Sequence, residues 1–126
     1  MPSFDYALVR VMPRVERGEV INAGVILFCL EQGFLAARVE VNVPRLLALW
    51  PATDVELVRQ HLEAIPRICA GAADAGPIAR LSLRERFHWL VAPRSTMIQV
   101  SPVHAGLCAQ PERALAELFA QMVEVP

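Results

Sequence analysis

Between Gly18 and Val41 the chain reads GEVINAGVILFCLEQGFLAARVEV, its longest apolar stretch. Val20 to Leu30 and Gly33 to Val41 are rich in β-branched and aromatic residues. The short Glu31-Gln32-Gly33 link between them ends in the residue that takes positive φ without steric cost, so the pattern predicts a β-hairpin. A loop this short obliges the two strands to run antiparallel. Strict alternation places Ile21, Ala23, Val25, Leu27 and Cys29 on one face, with Leu35, Ala37, Val39 and Val41 beside them. Val20, Asn22, Gly24, Ile26 and Phe28, with Phe34, Ala36, Arg38 and Glu40, fall on the other. One face is expected to be core and the other mixed. A two-stranded hairpin is marginal alone, so the remaining chain must supply a further strand and covering helices.

Phe4 to Met12 alternates and suits that first strand, ended by Pro13, and Arg14 to Gly18 turns the chain into the hairpin. Asn42-Val43-Pro44 reads as a cap and first turn leading a short helix, Arg45 to Trp50. Thr53 and Glu56 have capping-box spacing ahead of a stripe of Leu57, Val58, Leu62 and Ile65, with Pro66 expected to kink or end that helix. Gly71 to Pro77 reads as a loop. Ser82 and Glu85 repeat the capping-box pattern before a helix that stops ahead of Pro93. Ser95 to Ser101 alternates as a fourth strand, limited by Pro102. Pro111 opens the clearest helix, in which Ala114, Leu115, Leu118, Phe119, Met122 and Val123 recur at helical spacing. The order strand-strand-strand-helix-helix-strand-helix gives an α+β class: an antiparallel sheet of about four strands with helices packed mainly on one face, in one domain spanning residues 1–126.

Composition narrows the function classes. All 12 basic residues are arginine; without lysine the chain cannot form a Schiff base or complete a Walker A loop. Cys29, Cys69 and Cys108 are odd in number and lie far apart, without zinc-ligand spacing, so ordinary buried thiols and no metal or other cofactor are expected. The apolar runs are too short to cross a bilayer, and Met1 to Asp5 carries no leader pattern; a soluble cytoplasmic protein is expected. A formal charge of −1 gives no global attraction to nucleic acid. Hydrophobic residues make up 55% of this short chain, which raises the expectation of surface buried against a partner protein or a second copy.

Arg84 to Gly106 concentrates residues that could carry chemistry. Arg94, Ser95 and Thr96 could offer a guanidinium fork, hydroxyls and amides to an anion, and Arg86, Ser101 and His104 extend the candidate ligand site. The competing reading makes Arg94 an ion-pair partner of an acid such as Glu85 and Ser95-Thr96 the start of a strand. His104, in an apparent loop, is the one candidate general base, without any nucleophile-elbow motif near it. Arg10, Glu19, Asn22 and Arg38 could form a polar cluster on the sheet face, read either as a site or as a register-fixing network. Gly24 inside a strand marks a bulge or close approach. Arg10, Arg14 and Arg17 make a basic cluster, a weak pointer to nucleic acid.

Two stretches, YALVRVMPRVERGEVINAGVILF from Tyr6 to Phe28 and RFHWLVAPRSTMIQVSPVHAGLC from Arg86 to Cys108, resemble an uncharacterised bacterial family, domain of unknown function 3037. The resemblance rests on Glu19, Asn22, Gly24 and Val25, then Arg86, Pro93 to Thr96, Ser101, His104 and Gly106. Ala23 and Ala105 depart from the Val and Thr of many relatives. The family brings no assigned reaction. Its members look as though they are often encoded beside HipA-like kinases, and the resemblance on that ground implies an accessory or regulatory partner role. The leading expectation is therefore a small protein-interaction module and not an enzyme. A binder or enzyme for a phosphate-bearing or nucleotide ligand is the first alternative, and nucleic-acid binding the second.

Overall fold

The computed structural model describes residues 1–94 and 96–125. Strands β1 (Ser3–Val11), β2 (Ile21–Cys29) and β3 (Phe34–Val39) form the expected meander. They are followed by helices α1 (Val43–Leu49), α2 (Val55–Ala70) and α3 (Leu83–Leu90), strands β4 (Ile98–Val100) and β5 (His104–Leu107), and helix α4 (Pro111–Met122). The sheet is antiparallel throughout and ordered β3-β2-β1, with β4 and β5 laid end to end along the far edge of β1. The class is α+β as expected, with five strands where four were read. Among the described residues no helix is long and apolar enough to cross a membrane.

The additional strand originates at Pro102. β4 pairs Val9 with Val100, whereas β5 pairs Tyr6 with His104, so the β4–β5 side carries one extra residue between the two pairs. Ser101 manages this bulge. Its amide donates to the Leu8 carbonyl at 2.9 Å, and its hydroxyl accepts from the Leu8 amide and donates to the Pro102 carbonyl, each at 2.8 Å. The side chain thus takes over a ladder bond. The strand expected over Ser95 to Ser101 shrinks to three residues, and Ser95 lies outside the described residues.

A second bulge corrects the facing of β2. Val9 pairs with Gly24 and Arg10 with Asn22, leaving Ala23 unpaired. The inserted residue resets the alternation. Ile21 and Ala23 share a core with Ile26 and Phe28, while Val25, Leu27 and Cys29 enter the opposite core. Both faces of β2 are therefore apolar, and every residue from Ala23 to Cys29 is buried. α1, α2 and α3 cover the first face through Leu46, Val58, Leu62, Ile65, Phe87 and Leu90. α4 covers the second through Leu115, Phe119 and Val123. Three of the four helices share a face as expected, and the phase shift in β2 creates the apolar surface that α4 must cover.

Helix ends follow local chemistry with two departures. Asp54, and not Thr53, caps α2 by accepting from the Leu57 amide at 3.1 Å; the Thr53 hydroxyl instead donates to the Trp50 carbonyl. Pro66 does not end α2, which runs a further turn to a left-handed Gly71 cap. That turn is held by Ile68 and Cys69, buried in the core, and by Arg86, whose guanidinium donates to their carbonyls at 3.1 and 2.8 Å. The Ser82–Glu85 capping box at α3 forms as read.

Candidate functional site

Phase along α3 decides which side chains remain available. Phe87 and Leu90, three apart, point into the core. Trp89 falls off that stripe and stays 41% exposed. The chain leaving α3 folds back so that the Arg94 guanidinium lies 4.3 Å from the Trp89 ring centroid. The same guanidinium donates to the Trp89 and Leu90 carbonyls at 2.7 and 3.2 Å, closing the C-terminus of α3 where a cation is favoured. Arg94 therefore pairs with backbone, and among the described residues no carboxylate, Glu85 included, forms an ion pair with it. Glu85 is occupied by its capping box.

Beside this stacked pair, α2, α3 and β4 enclose a groove of about 330 Å³. Its lining is mainly apolar, with Ile65, Ile68, Leu90, Met97 and Ile98 below and His61, Trp89, Arg94 and Thr96 at the polar positions. The Thr96 hydroxyl donates to the Ile98 carbonyl at 2.9 Å. Among the described residues, no carboxylate and no thiol contributes to the lining. The groove thus presents an aromatic plate, one cation and a greasy floor, a composition suited to binding.

The other proposed ligand residues lie elsewhere. Arg86 is committed to the end of α2, with its Nε buried and unpartnered. Ser101 is buried in the β1–β4 bulge. His104 stands on β5 with its ring 5.4 Å from that of Tyr6. Of the five that are described, Arg94 and Thr96 share one cavity and Arg86, Ser101 and His104 do not join them; Ser95 lies outside the described residues.

The sheet-face cluster divides in a similar way. Arg10 pairs across the strands with Asn22 and with Gln99. Asn22 donates to the Met122 carbonyl at 3.0 Å, and the Arg38 guanidinium lies 4.8 Å from the Phe119 ring centroid. Asn22 and Arg38 thus dock α4. Glu19 pairs with Arg17 at 2.5 Å, away from them. The basic cluster is likewise dispersed: Arg14 pairs with Glu16 and stacks 4.2 Å from Trp50, whereas Arg10 faces the α4 side.

A second groove, about 480 Å³, runs between α4 and β5 past Phe4, Leu107, Cys108, Arg113, Glu117 and Leu118. Burial, with Cys29 beside it, pushes the Cys108 thiol above its ordinary pKa, so it is a weak nucleophile there. Arg113 and Glu117 pair with each other at 3.0 Å along the helix.

Trp89, His61, Met97 and Ile98 were not read as a site from sequence. The available signal was helical phase: Trp89 sits two residues after Phe87, on a different flank. The return of Met97 and Ile98 to α2 depends on tertiary folding.

The family model described as protein of unknown function (DUF3037) matches residues 6–123. No curated protein and no solved structure matches the chain.

Proposed function

The chain belongs to the DUF3037 family of proteins of unknown function, and we propose that it is a cytoplasmic protein-interaction module whose groove between α2, α3 and β4 receives an apolar segment of a partner protein. One observation carries this reading: a large aromatic side chain, Trp89, is left exposed over an apolar floor with the Arg94 cation stacked upon it. Tryptophan and arginine dominate binding hot spots because they bury large surfaces and retain directional polar contacts. The Arg94 charge favours a segment in which an acidic residue flanks the apolar anchor. Three free cysteines, Cys29, Cys69 and Cys108, fit a reducing compartment.

The HipA-like kinase implied by the family resemblance is the first partner to try. Binding of the purified chain to that kinase is expected to weaken at least about tenfold in Trp89→Ala and in Arg94→Glu. Affinity unchanged in both variants would remove the groove from the interaction. Among the described residues, the phosphate-ligand reading retains Arg94 and Thr96 in one cavity. A panel of nucleotides and phosphate esters is accordingly expected to leave Tm unmoved; a shift lost in Arg94→Ala would restore that reading.

A further inference from the structure

β5 is an unguarded sheet edge. The Cys108 amide donates to the Pro2 carbonyl at 3.0 Å, and antiparallel alternation then turns the amides and carbonyls of Gly106 and His104 toward β1. Those of Ala105 and Leu107 point away from the sheet, where they meet no partner among the described residues. Natural sheets guard such edges with charge, proline or bulges. The far edge, β3, carries exposed Arg38 and is followed by exposed Glu40. β4 is guarded by the Thr96 hydroxyl on the Ile98 carbonyl and by Pro102, which has no amide hydrogen. Within His104–Leu107 β5 has none of these, the bulge at Pro102 and Val103 lying just before it. From Pro102 to Gln110 the sequence PVHAGLCAQ holds no acidic residue and no arginine, while Val103 and Leu107 are 44% and 64% exposed.

We propose that β5 pairs antiparallel with β5 of a second copy, about a two-fold axis through Ala105, joining two five-stranded sheets into one. The segment is self-complementary in that register, as a two-fold interface requires. Val103 of one copy faces Leu107 of the other, two exposed apolar side chains meeting. His104 faces Gly106, where the Phe4 ring of the same copy fills the space beside the backbone and any Cβ would lie 2.5 Å from that ring. Ala105 faces itself, its small side chain allowing close approach. No like charges oppose across the pairing, and the free amides and carbonyls of both edges are satisfied together. This surface is separate from the groove of α2, α3 and β4.

Sedimentation across a concentration series tests the pairing. The expected result is a reversible dimer whose Kd rises about tenfold or more in Leu107→Lys and in Ala105→Pro. Residue 105 turns its amide outward, so proline there spares the bonds to β1; should that variant fail to fold, Leu107→Lys decides. Ala105→Cys in a Cys108→Ser background should yield a disulfide-linked dimer on mild oxidation, because self-facing Cα atoms in a hydrogen-bonded pair lie about 5.5 Å apart. A monomer at every concentration, as when this edge instead takes an extended segment of another protein, would overturn the proposal. So would a dimer indifferent to both edge substitutions.

Discussion

Replacing Ser101 with alanine removes the oxygen that accepts the Leu8 amide at 2.8 Å and leaves the backbone otherwise unchanged. Ser101 is 3% exposed and Leu8 is 9% exposed, so the stranded donor has poor access to water. A buried donor deprived of its acceptor costs about 1–3 kcal/mol. A domain of this length loses roughly 4 °C of Tm per kcal/mol, which places the fall at about 4–12 °C. Differential scanning calorimetry of wild type and Ser101→Ala measures it directly. Thr96→Ala is the control, since its hydroxyl is exposed and, among the described residues, bonds only the Ile98 carbonyl; it should lose well under about 1 kcal/mol. A Ser101→Ala protein melting within about 2 °C of wild type would refute the claim that this hydroxyl holds the β4–β5 bulge.

Gly24→Ala is expected to lose about 1–3 kcal/mol in denaturant unfolding, because a Cβ would sit 2.7 Å from the Arg38 carbonyl oxygen of the neighbouring strand; an unchanged midpoint would contradict the β2–β3 register. Asn22→Ala should speed hydrogen exchange in the last turn of α4 by releasing the Met122 carbonyl, with protection in β1 and β2 retained; equal exchange in that turn would count against the docking role of Asn22. Burial pushes the Cys69 thiol from 9.0 to about 12, so it should resist alkylation at pH 8 in the folded protein. The folded pKa is raised, hence the contribution is complete below 9.0 and is lost as pH rises toward about 12; Cys69→Ala should flatten that alkaline decline, and an identical slope would contradict the assignment.

The meander and the amphipathic helices were legible because their signals are local: alternation in β1, capping chemistry at Ser82, the stripe of Leu115, Phe119 and Val123. The bulge at Ala23 was not, although Gly24 hinted at it. A single inserted residue reverses every facing beyond it, so the set Ile21 to Cys29 read as one face divides between two cores. That same event determines where α4 packs. β5 escaped notice because His-Ala-Gly-Leu has little strand character, and it exists by pairing with β1 after Pro102 ends β4. In the candidate site, Arg94 and Thr96 were visible as polar residues in an apolar chain. Their partners Trp89, His61 and Met97 come from three separate segments, and their meeting depends on how α2, α3 and β4 pack. Arg86 and Ser101 drew attention for the same polarity, which serves a helix end and a strand bulge.

The claim that the groove of Trp89 and Arg94 receives a partner is tested most directly by placing a photo-crosslinking amino acid at groove position 61, which leaves Trp89 in place, and, separately, at exposed position 45 on α1. The protein crosslinked at position 61 is then purified and titrated with wild type and Trp89→Ala. The expected result is one adduct formed at position 61 and not at 45, with a Kd weakened at least about tenfold by Trp89→Ala. No adduct at 61, equal adducts at both positions, or an affinity indifferent to Trp89→Ala would contradict it.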